Sequence, residues 1–175
     1  MKRVLYLATL LFCAVFTSCE KEEIGNTATV ATAGDWYVTV DAVDENGNLV
    51  YSDDELFGVG YIHMVTSNTA SNQATEMILT DLGSFWGFKV KVAVDPQSMT
   101  FQTTTSEPNN LEFDPINVSV RNGKITKDGG IQNNGSVSDA IEFMISFSDD
   151  TYPAKYGYSC YKVHGIRYSG LVEND

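Results

Sequence analysis

Gly34-Asp35-Trp36-Tyr37-Val38-Thr39-Val40 is the stretch on which the fold turns. Side chains alternate along it, with Trp36, Val38 and Val40 to one side and Tyr37, Thr39 and Asp41 to the other. Successive side chains of a strand point to opposite faces, so this pattern requires one wet and one dry face. Gly34, two residues before the tryptophan, lets the backbone bend into the strand where a Cβ would hinder it. Trp36 itself is a large apolar plug with a single N–H to satisfy.

The same alternation returns along the chain. Residues 57–66 place Phe57, Val59, Tyr61, His63 and Val65 on one side, and residues 76–81 form a short strand. Residues 85–95 give the clearest strand, with Trp86, Phe88, Val90, Val92 and Val94 facing one way. Residues 99–104, 116–121, 124–126, 140–148 and 157–168 follow; in 140–148, Ile141, Phe143, Ile145 and Phe147 point inward. Asn122-Gly123 reads as a hairpin turn, and residues 127–138, rich in Gly and Asn, as a long mobile loop. Nothing has the period of a long amphipathic helix. About eight short strands joined mostly by short connections predict an all-β fold, an up-and-down antiparallel barrel, with a β-sandwich as the alternative.

The 175 residues, 43% hydrophobic and 19% charged, suit one domain of ordinary size. A formal charge of −12 argues against nucleic acid, whose phosphates would be repelled. Residues 1–18 read as an export signal: Lys2 and Arg3 precede an apolar run too short to span a bilayer comfortably. Phe16-Thr17-Ser18-Cys19 resembles the lipobox of bacterial lipoproteins, which makes Cys19 the expected site of lipidation and the new N-terminus. Cleavage leaves nine basic against 23 acidic side chains, a charge of −14. Residues 19–33 read as a flexible acidic tether, and residues 34–175 as the barrel domain. Lys21-Glu22-Glu23 resembles the short acidic tag that exports some Gram-negative lipoproteins to the cell surface, so an outer-membrane location, periplasmic or external, is expected. A solvated tether is the alternative reading. Cys160 is then the one cysteine of the domain, and no disulfide is expected.

Residues for chemistry are few. Gly83-Ser84-Phe85-Trp86-Gly87 misses the spacing of a nucleophile elbow by one. Cys160 and His164, four apart on a strand, lie about 13 Å from each other, too far for a nucleophile and its base; a pairing of Cys160 with His63 stays open. Asp44, Asn46, Asn48 and Glu55 have a partial calcium-loop spacing, but Leu49 stands where the glycine is needed, so an acidic turn is expected. No metal or cofactor site is predicted. What remains is a store of aromatic side chains: Tyr61, Trp86, Phe88, Phe143 and Phe147 either line a cavity for an apolar ligand, with Tyr61 or His63 fixing its polar end, or fill a solid core.

Gly34-x-Trp36 resembles the first-strand signature of the lipocalin and calycin barrels. Taken with Cys19, the 85–95 strand and His164-Gly165-Ile166-Arg167-Tyr168, the mature chain resembles the bacterial lipoproteins called lipid-binding putative hydrolases, which have a lipocalin-like barrel. That resemblance implies a lipid or other small apolar ligand, with no catalytic residues identifiable for hydrolysis, and it implies that Arg167 stacks on Trp36 to close the barrel. An esterase acting on acyl substrates and a surface glycan-binding module, with Tyr152 and Tyr156 as contacts, are the alternatives.

Overall fold

A computed structural model describes residues 26–110, 116–171 and 174. The export signal, Cys19 and the Lys21-Glu22-Glu23 tag lie outside the described residues. The elements are β1 (Gly34–Val43), β2 (Leu49–Tyr51), α1 (Asp53–Leu56), β3 (Ile62–Asn68), β4 (Glu76–Thr80), β5 (Lys89–Asp95), β6 (Thr100–Gln102), β7 (Glu107–Pro108), β8 (Asn117–Ile131), β9 (Val137–Phe147), α2 (Tyr152–Tyr156) and β10 (Cys160–Arg167).

The strands β1, β3, β4, β5, β6, β8, β9 and β10 pair antiparallel in that order, and β10 pairs back onto β1, so the sheet closes into an eight-stranded up-and-down barrel. The sandwich alternative is thereby excluded. Two short strands lie off the ring, β2 on β1 and β7 on β8. Closure runs through eight consecutive pairs from Trp36 opposite Arg167 to Val43 opposite Cys160. The inward residues of all eight strands form one contiguous core, in which Trp36, Val38, Met64, Leu79, Val90 and Val163 have no solvent exposure. A barrel of this size has an interior just wide enough for side chains or one small ligand.

One end is closed by the first-strand signature. The Trp36 Nε1–H donates to Thr66 Oγ1 at 2.8 Å, and the Thr66 hydroxyl donates on to the Thr32 carbonyl at 2.6 Å. The Arg167 guanidinium lies 4.6 Å from the Trp36 ring, an attraction of about 0.5–2 kcal/mol. It also donates to the Ala33 carbonyl at 2.8 Å and, from Nε and Nη2, to Asp139 Oδ2 at 3.2 and 3.1 Å. Gly34 makes room for it: a Cβ there would sit 2.3 Å from Arg167 Nη1. The main-chain turn of residues 27–33 crosses this floor.

Three expectations are corrected. Asn122-Gly123 does not turn the chain; it lies inside the continuous strand β8, where the pairing with β9 shifts register between Arg121 and Lys124. Asn122 takes the left-handed conformation at φ 54°, and Gly123 lets the Phe101 backbone approach. The 127–138 segment is mostly paired, β8 and β9 extending to Ile131 opposite Val137 with residues 132–136 as the turn. The strand expected from residue 57 begins at Ile62, after α1 and a glycine-containing loop. Its inward residues are Ile62, Met64 and Thr66, because Trp36 is in register with Met64.

Candidate functional site: an aromatic mouth

At the end opposite the Trp36 floor, two loops carry rings over the barrel interior. The first, residues 81–88, is wound around Asp81, which has no solvent exposure. Asp81 Oδ1 accepts the main-chain N–H groups of Gly83 and Phe88, and Oδ2 accepts those of Phe85, Trp86 and Gly87, all at 2.8–3.0 Å. Burial opposes the charged form, but these hydrogen bonds outweigh it and hold the carboxyl below the usual aspartate value. The second loop, residues 52–61, begins at α1, where Glu55 accepts the Ser52 N–H at 2.9 Å. It is tied down by buried Asp53, which accepts from Val59 at 3.2 Å and Gly60 at 2.7 Å. Glu55 is thus used within α1, and Asp44 closes its own turn by accepting from the Asn46 and Asn48 main chain.

The rings these loops present are in contact. Trp86 stacks on Phe147 at 4.7 Å with planes 5° apart, and Phe85 meets Tyr161 edge-on at 5.2 Å and Phe57 at 5.9 Å. Phe57, Phe85 and Trp86 are half-buried, while Phe88 and Tyr161 beneath them are fully enclosed. Polar partners rim the cluster: Trp86 Nε1–H donates to Asp149 at 3.1 Å, and the Tyr161 hydroxyl donates to Asp150 and lies 2.8 Å from that of Tyr158. Burial pushes the Tyr158 phenol up to about 12 and raises that of Tyr161 as well, the latter reinforced by its bond to Asp150. Both phenols therefore stay protonated at neutral pH.

Of the residues singled out in the sequence, Trp86, Phe88 and Phe147 meet here, and Phe143 lies deeper against Phe101 at 5.7 Å. Tyr61 and His63 do not join them. The parity of β3 puts them on the outer face, where Tyr61 stacks on Tyr37 at 4.8 Å and His63 pairs with Asp35 at 3.0 Å. Phe57, Phe85, Tyr158 and Tyr161 were missed. For Tyr161 the signal was present, since it shares the strand parity of Arg167.

The two histidines and Cys160 lie away from this mouth, on the outer face of the barrel. Thr39 Oγ1 and Asp41 Oδ2 both contact the same His164 nitrogen, Nε2, at 3.3 and 2.9 Å, so the ring cannot relay a proton from one to the other. Cys160 is buried on the outer side beneath the Arg121 guanidinium, 3.3 Å from Sγ. His63 pairs with Tyr37 and Cys160 with Val43, six residues further along β1, so about 20 Å separates them. That pairing is ruled out.

A closed up-and-down barrel with a floor sealed by tryptophan and arginine and a ring-lined opposite end defines a lipocalin-like protein. The family model for lipid-binding putative hydrolases matches residues 21–172, and the chain belongs to that family. No curated protein matches it.

Proposed function

We propose that this chain is a membrane-tethered binding protein that takes an apolar ligand, a lipid chain or a hydrocarbon of similar size, at its aromatic mouth and performs no chemistry on it. The observation that carries this reading is the half-buried trio Phe57, Phe85 and Trp86 above the enclosed Phe88 and Tyr161, at the one end the floor residues leave open. The inward residues form one contiguous core, so in this reading a ligand enters by displacing rings, and Trp86, Phe88, Phe143 and Phe147 are its successive contacts. Asp149 and Asp150 on the rim, on a chain of strongly negative charge, select against an anionic head, so a neutral lipid is preferred to a fatty-acid anion. Cys19 is the proposed anchor, in the outer membrane, on its periplasmic or external face. The tether joins the described chain at Asn26, on the floor side, at the end opposite the mouth.

Displacement of a fluorescent monoacylglycerol tests the site. Saturable binding is expected, weakened at least tenfold by Trp86→Ala and unchanged by Tyr61→Ala. Binding indifferent to Trp86→Ala, or no binding, overturns the assignment. For the anchor, labelled palmitate is expected to enter the wild-type chain and not Cys19→Ser.

A further inference from the structure

We propose a second binding site on the outer face of the barrel, for a neutral saccharide, independent of the mouth. Outward side chains meet across the closing strands: Tyr37 beside Ile166, Thr39 beside His164, then Ile166 beside Ala140 and His164 beside Glu142. Such a face is convex and open to water. Here it is not, because the β8–β9 hairpin leans over it: Gly130 packs so closely on Ile166 that a Cβ would fall 2.3 Å from the isoleucine Cγ2. The overhang and the strands beneath it bound a half-open groove of about 720 Å³, within the roughly 300–1,000 Å³ of small-molecule sites.

Its two walls differ in chemistry. On one side Tyr37 and Tyr61 are stacked with planes 20° apart, and Tyr61 remains 61% exposed. His63 and Tyr168 pack behind Tyr37 at 5.3 and 5.9 Å, so this wall is braced. Across from it stand Ile131 and Asn133 of the hairpin, with Thr39, His164 and Glu142 along the base.

Charges in the groove are paired locally. Glu142 sits 3.5 Å from Lys162, and His164 2.9 Å from Asp41. An anion would face the carboxylates of Asp41 and Glu142. A plain acyl chain would strip water from Thr39, His164, Glu142 and Asn133 and return no hydrogen bond. A saccharide satisfies both walls: its C–H face lies on the exposed tyrosine ring, and its hydroxyls donate to the Glu142 carboxylate and accept from the second N–H of the Asn133 amide, whose first goes to the Asn174 carbonyl.

The test is calorimetric titration of the full chain with maltotriose, cellotriose and triacetylchitotriose, with amide-shift mapping of whichever binds. At least one is expected to bind saturably, with shifts on β1, β9, β10 and the β8–β9 hairpin. Tyr61→Ala should weaken it at least tenfold and Trp86→Ala should leave it unchanged, which keeps the outcome separate from that of the mouth. Three results overturn the proposal: no saturable binding by any of the three, binding insensitive to Tyr61→Ala, or binding lost in Tyr152→Ala. The last would move the site to the other stacked tyrosine pair, Tyr152 and Tyr156.

Discussion

Asp81 is a single carboxylate on which five main-chain N–H groups converge, and it fixes the loop that carries Phe85 and Trp86. Its pKa is lowered in the folded chain, so its contribution to stability is present in full above the unfolded value and is lost as pH falls through the folded one. Asp81→Asn removes the charge and turns an N–H pair toward donors; a loss of about 2–4 kcal/mol at pH 7 is expected. Thermal melts at pH 7 and pH 3 check it. The gap between wild type and variant should narrow at the lower pH, and an equal gap at both would show that the ionised form is not what holds the loop. At this scale the pairing of Arg167 with Trp36 beside Gly34 was legible through the resemblance to lipocalin barrels, and the structure places the guanidinium 4.6 Å from the indole. Tyr61 and His63 were misplaced because alternation alone does not say which parity is inward. Register with Trp36 decides that, and register is a property of two strands.

Between residue and barrel, β8 shows how one dipeptide serves two structures. An asparagine tolerating positive φ followed by a glycine suits both a two-residue turn and a bulge within a strand. The choice is made by β6, whose Thr100 and Phe101 pair with Lys124 and Gly123 across some twenty residues, a contact no local pattern announces. Gly123→Ala discriminates the two. Its Cβ would lie 2.5 Å from the Phe101 carbonyl oxygen and 2.4 Å from its ring, so a loss of about 1–3 kcal/mol is expected in urea unfolding, with the slope unchanged. A solvent-exposed turn would have accepted the methyl group at little cost. The hairpin beyond it was read as mobile for the same reason: its Gly and Asn content is that of a loop, whereas Ser138 and Gln132 tie it to the Arg167 carbonyl from the far end of the sequence.

For the molecule as a whole, closure was legible from the short connections, and whether the interior is hollow was not, since the same inward rings serve a cavity or a core. The groove was likewise hidden, because it exists only once the hairpin leans over the β1–β10 seam. Gly34→Ala tests the seam directly. The new Cβ would push the guanidinium off the indole, with an expected cost of about 1–3 kcal/mol and an altered Trp36 near-ultraviolet dichroism, while far-ultraviolet sheet signal persists. The seam also sets how the barrel answers to force. β1 starts and β10 ends at the same rim, with Trp36 facing Arg167, so tension applied at those two points opens the ladder rung by rung instead of shearing all rungs together. A steady pull on the chain at either side of the barrel would therefore peel β1 from β10 starting at the Trp36–Arg167 rung.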